Sequence, residues 1–130
     1  MTTVHTGMKH PVMCNGAPSK IAYARWAPSS ADTQTLTDAQ GITSISRTSI
    51  GLYVVNFANK PAIIIPESVC FIDNGTTLWV DAHVVSTDAA AGTATVTLKT
   101  VAFASVASGP SASDTIDELC VKFLLVGGNL

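Results

Sequence analysis

The feature that most restricts how this chain can fold is a two-residue alternation of apolar side chains, repeated in short runs. Glu118 to Val126 reads ELCVKFLLV and sets Leu119, Val121, Phe123 and Leu125 on one side. Successive side chains of an extended strand point to opposite faces, so this period describes a strand with one face against a core. Leu52 to Phe57 repeats it with Tyr53, Val55 and Phe57. Lys20 to Ala27 divides Ile21 and Tyr23 from Ala22, Ala24 and Trp26. Thr77 to Ser86 sets Leu78, Val80, Ala82 and Val84 against Thr77, Trp79, Asp81 and His83. Thr93 to Phe103 alternates Val96 and Leu98 with threonines. No segment carries an apolar helical stripe between capping signals.

Turn residues punctuate these runs. Ile42 to Thr48 and Leu52 to Phe57 are separated by a short glycine-bearing link with Gly51, which predicts a hairpin. Ser68 to Ile72 is followed by Asp73-Asn74-Gly75, a strong hairpin signal leading into the strand from Thr77. Ile63, Ile64 and Ile65 lie between Pro61 and Pro66, which restricts them to a short edge strand or a covering loop. The connections at 28–41, with a short strand around Gln34 to Leu36, and at 104–117 are long enough to cross between sheets. About seven or eight strands with closely spaced turns predict an all-β fold: an antiparallel β-sandwich, jelly-roll-like. Residues 1–19 lack periodicity and read as an extended N-terminal arm; residues 20–130 read as the sandwich domain.

Charge narrows the function. Lys and Arg number 7, Asp and Glu 9, and together they make only 12% of the chain. A soluble domain averages about 25%. The net charge of −2 gives no concentrated basic surface for a nucleic acid. No apolar run is long enough to span a membrane, the first residues lack a signal-peptide core, and the chain is too apolar for disorder. Two readings of the missing charge stay open: β surfaces whose polarity comes from Thr and Ser, or a surface covered by other subunits, since interface cores are depleted in charge. Cys14, Cys70 and Cys120 have no metal-ligand spacing. Cys70 and Cys120 sit in apolar runs and read as free buried thiols of a protein made in a reducing cytoplasm.

The stretch from Ala22 to Phe57, AYARWAPSSADTQTLTDAQGITSISRTSIGLYVVNF, goes beyond a generic strand pattern. With its AxAR strand, its Gly41 to Phe57 hairpin and a closing DELCVKFLLVG from Asp117 to Gly127, it resembles a recurrent β-domain of tailed-bacteriophage virion proteins. That domain occurs in tail-fibre C-terminal modules and in small head-decoration proteins. The resemblance covers residues 20–127 and departs from the pattern at Lys60 to Pro66 and in the arm. It implies a non-enzymatic structural protein, often a homotrimer, located on the virion and made in the host bacterial cytoplasm. A short chain with only an arm before its β-domain looks more like a capsid decoration or cement protein, whose partner is the major capsid protein. The alternative it leaves is a tail-fibre or adhesin module that binds a host surface receptor.

His5, His10 and Cys14 offer three zinc-type ligands where a structural site takes four, so they read as parts of the arm. Asp81 and His83 share a strand face, but no nucleophile elbow accompanies them. Asp114, Asp117 and Glu118 lack calcium-loop spacing and read as a solvated loop, and Asp73-Asn74-Gly75 reads as a turn. Arg47 and Tyr53 flank the hairpin turn, which the resemblance implies is a structural hallmark rather than an active site. Trp26 and Trp79 read as core, with interface anchoring the other use of an exposed Trp. No catalytic, cofactor or metal residue is assigned. The expected interface residues are His5, Met8, His10, Val12 and Met13 of the arm, with Ile63, Ile64 and Ile65.

Overall fold

The structure is a computed structural model and describes residues 12–14, 17–73, 75, 77–102 and 111–130. Its strands are β1 (Val12–Cys14), β2 (Ala17–Trp26), β3 (Leu36–Gln40), β4 (Ile42–Ser49), β5 (Leu52–Phe57), β6 (Ile63–Ile72), β7 (Thr77–Asp88), β8 (Thr93–Ala102), β9 (Ser111–Ala112) and β10 (Glu118–Val126). One sheet runs β1-β2-β10-β6, with β3 also on β2; the other runs β4-β5-β8-β7, with β9 also on β8. All pairings are antiparallel. The fold is an antiparallel β-sandwich, as the alternation predicts; the finer jelly-roll-like order is not confirmed by these pairings.

The alternating residues become the core. Leu119, Val121, Phe123 and Leu125 of β10 and Ala22, Ala24 and Trp26 of β2 are buried from one sheet. Tyr53, Val55 and Phe57 of β5 and Ala94, Val96 and Leu98 of β8 are buried from the other. Two edge-on aromatic pairs cross the interior: Trp26 with Tyr53 at 5.7 Å between ring centres, and Phe57 with Phe123 at 5.0 Å. Such geometry brings a positive ring edge to a negative ring face.

Several expectations need correction. The segment expected as an arm is partly sheet. Val12, Met13 and Cys14 pair with Ser19, Pro18 and Ala17, so regular pairing begins inside residues 1–19. Asp73 to Gly75 is not a hairpin turn, because β6 and β7 belong to different sheets. Gly75 N–H donates to Asp73 Oδ1 at 2.6 Å and Gly75 has φ +80°, so the turn chemistry is used to change sheets. Ile63 to Ile65 do lie on an edge strand, but β6 continues through Pro66 to Ile72. Phe123 faces Pro66 while Lys122 faces Ser68, which leaves Glu67 as the extra residue of a bulge. An edge position with a bulge is where a proline without an N–H is tolerated. The 28–41 connection folds onto the second sheet through a Thr33–Ser46 bridge. Buried Gln34 organises it, accepting from Ser29 N–H and donating to the Ser29 and Ala31 carbonyls.

The largest correction concerns Asp114. It is not part of a solvated loop: its side chain is 14% exposed and its ion-pair partner Arg47 is 16% exposed. Arg47 donates from Nε at 3.0 Å and from Nη2 at 2.8 Å to Oδ2. Gly51 N–H donates to Oδ1 at 3.0 Å, and the Tyr53 hydroxyl donates to the same oxygen. One carboxylate thus holds β4, the β4–β5 turn and β5. The turn cannot be opened by a larger residue. Gly51 has φ +67°, and a Cβ there would stand 2.3 Å from the Leu98 carbonyl oxygen and 2.8 Å from Ser113 N. Burial opposes ionisation of Asp114, but the bonds from Arg47, Tyr53 and Gly51 outweigh it and hold its carboxyl below the ordinary value. Burial, then the Asp114 bond, push the Tyr53 phenol well above its ordinary range, so it remains a donor.

Because the native carboxyl titrates below the unfolded one, its contribution is present above the unfolded value near ~3.9 and is lost as pH falls through the native value. We expect Asp114→Asn to cost about 2–4 kcal/mol at pH 7, since it leaves Arg47 without its countercharge. Urea unfolding should show this gap narrowing steadily as pH is lowered from about 4.

Candidate functional site

The register of β2, β10 and β6 fixes what the first sheet shows to solvent. Opposed residues of antiparallel strands share a face, so the pairings define rows running across three strands. Ile21, Leu124 and Ile65 form one row, Tyr23, Lys122 and Ser68 the next, and Arg25, Cys120 and Cys70 the third. Glu118 and Ile72 pair beyond them. On β2 and β10 these positions alternate with core positions, which fixes the outward face there; on β6 the inward side is covered at Ile64, half-covered at Val69 and open at Phe71.

The face is unevenly polar. At one end Ile21 is 37% exposed and Ile65 38%, with half-buried Leu124 between them and Ile63, 53% exposed, two residues along β6. At the other end Arg25 donates to Glu118 Oε1 at 3.0 Å, and the Tyr23 hydroxyl donates to Asp38 Oδ2 at 3.2 Å. The nearby Asp38 charge, then their hydrogen bond, raise the Tyr23 phenol. Ile72, 56% exposed, adds apolar surface beside Glu118 at this end, so the paired polar groups can orient a neighbour while the aliphatic side chains supply area to bury.

The expected interface residues separate on this geometry. Ile63 and Ile65 point outward, whereas Ile64, paired with Leu125, points inward and is 6% exposed. Ile64 is core and leaves the interface set, because three consecutive strand residues cannot share a face. Val12 and Met13 lie on β1, opposite Ser19 and Pro18. His5, Met8 and His10 lie outside the described residues, and with them two members of the His5, His10 and Cys14 grouping. Among the described residues no three His, Cys, Asp or Glu side chains are placed to hold a metal ion.

Two further expectations change. Trp26 is fully buried, but Trp79 is 47% exposed on the outer side of β7. The adjoining Asp81 and His83 do come together, with His83 Nδ1 3.0 Å from Asp81 Oδ1, on a half-exposed surface. His83 also lines an open cleft of about 250 Å³ between the edge strands β6 and β7, with Pro66, Glu67, Ser68, Val69, Ala82 and Val84. The thiols are the second change. Cys70 is exposed and Cys120 half-buried, both on the outer face rather than in the core. The sequence signal was there: Cys120 falls between Leu119 and Val121, so it has the outward parity of β10.

No family model, curated protein or solved structure matches this chain.

The division of the isoleucines is open to a direct measurement. Ile64→Ala should cost about 2–4 kcal/mol in chemical unfolding, as a truncated core aliphatic does. Ile21→Lys and Ile65→Lys, on the outer face, should each stay within about 0.5 kcal/mol of the parent.

Proposed function

We propose that the chain is a structural protein of a virion, a capsid decoration or cement protein that adds buried area across contacts between major capsid subunits. The observation that carries this reading is the aliphatic row Ile21, Leu124 and Ile65, flanked by Ile63, on the solvent face of a sheet in a chain with 12% charged residues. Exposed apolar area of this kind marks a surface for association, and the charged groups beside it favour a defined orientation over collapse. The resemblance of the Gly41 to Phe57 hairpin to phage virion β-domains supplies the setting. A homotrimer and a capsid partner follow from that resemblance, and the face supports association by its chemistry.

A second reading has one observation in its favour. Trp79 presents an apolar ring to solvent on the β7 face that also carries Asp81 and His83, as an aromatic receptor platform would. That suits a tail-fibre or adhesin module binding a host surface receptor.

The test is binding of the labelled chain to purified expanded heads of the phage that encodes it, and to its host cells. The decoration reading expects saturable binding to heads, reduced at least tenfold in the Ile21→Lys, Ile65→Lys double variant. Head binding by the parent and the variant alike would remove the sheet face from the mechanism. Absence of head binding, with binding to host cells lost in Trp79→Ala, would replace decoration with the receptor reading. Deleting residues 1–11 leaves the described strands whole and asks separately whether the arm takes part.

A further inference from the structure

Cys70 and Cys120 are direct cross-strand partners in the β6–β10 ladder, two pairs in from its Glu118–Ile72 end. The pairs on either side, Val121 with Val69 and Leu119 with Phe71, keep regular register, and the bulge lies farther along at Lys122 and Phe123. Directly opposed residues of an antiparallel ladder have Cα atoms about 4.5–5.5 Å apart. A disulfide takes Cα separations of about 4.4–6.8 Å, so directly opposed strand positions such as these fall within its range. Both side chains leave the same face, and Cys70 is exposed, so an oxidant in solution reaches the pair. The ladder also supplies a very high local concentration of the second thiol.

We propose that Cys70 and Cys120 are an oxidative modification site, a dithiol that closes reversibly to an intrachain disulfide and staples edge strand β6 to β10. With a glutathione-type disulfide as oxidant, the Cys70 thiolate attacks one sulfur of the oxidant. This forms a mixed disulfide and releases one thiolate, which takes up the proton lost from Cys70. Cys120 then loses its proton and attacks the Cys70 sulfur, forming the Sγ–Sγ bond and releasing the second thiol. Two protein thiols are oxidised, one small disulfide is reduced to two thiols, and two electrons pass. The order follows from position: Cys70 is the exposed member, whereas burial, then the facing Cys70, push the Cys120 thiol up, which suits it to the resolving step. The bond would close the whole segment between the two cysteines, including β7, β8 and β9, so it restricts the unfolded chain strongly. This inference stands apart from the virion reading.

The test uses the full chain, as parent and as Cys14→Ser, equilibrated in glutathione redox buffers, quenched by acid, alkylated and mapped without reduction. The expected result is a monomer containing one peptide pair linked through Cys70 and Cys120. Its Tm should rise by about 5–10 °C on oxidation and return on reduction. Cys70→Ser should show no such rise. Persisting glutathione adducts at Cys70, a bond between two chains, or two thiols still alkylated under oxidising buffer would each overturn the proposal. If Cys14→Ser does not fold, the same mapping on the parent decides the matter, since it identifies which sulfurs are joined.

Discussion

The Asp114 carboxylate is the point on which the second sheet and the core depend together. Tyr53 must place its ring in the interior, edge-on to Trp26, and its hydroxyl then needs an acceptor away from water. Asp114 supplies it, and its own charge is balanced by Arg47 on the neighbouring strand. The same carboxylate takes the N–H of Gly51, whose carbonyl in turn accepts from Leu98 N–H at 2.8 Å. Apolar packing, a tight turn and a nearly buried ion pair are thereby made one unit. Losing any of the donors would leave the carboxylate short of the bonds that offset its desolvation.

The first sheet rests on a different constraint, the late arrival of its central strand. β10 is last in the chain, yet it lies between β2 and β6, and its inward residues contribute the largest share of apolar volume on that side. Before β10 docks, β6 has no neighbour in its sheet and β2 holds only β1 and β3. These pairings link residues far apart in sequence, which places the fold among those whose assembly is governed by long-range closure. β6 is then left as an edge with a proline, a bulge and Glu67 along it, devices that discourage uncontrolled strand addition.

That arrangement connects the architecture to the proposed role. The strand that completes the core also carries Leu124 between Ile21 and Ile65 on the outside, so the face offered for association is stiffened by the same ladder that buries Phe123. A preorganised apolar row loses little conformational freedom on burial. The low charge of the chain has, on this view, two sources: threonine-rich strands such as β8, and a sheet face where aliphatic side chains replace charges.

The period-two pattern by itself determined a great deal. It set the fold class, the limits of β5 and β10, and the inward residues Tyr53, Val55, Phe57, Leu119, Val121, Phe123 and Leu125, because side-chain direction in a strand is a local property of the backbone. It also required Ile64 to part from Ile63 and Ile65. Pairing is another matter. An Asp-Asn-Gly turn looks the same in sequence whether the strands around it pair with each other or with strands elsewhere, so Asp73 to Gly75 read as a hairpin and proved to be a passage between sheets. Asp114 looked like one of several loop acids, since nothing local marks a carboxylate whose partners lie 61 and 67 residues away. The opposition of Cys70 and Cys120, and the row that joins Ile21 to Leu124 and Ile65, likewise arise only when distant strands take their register. That register is decided by the tertiary burial of all the strands at once.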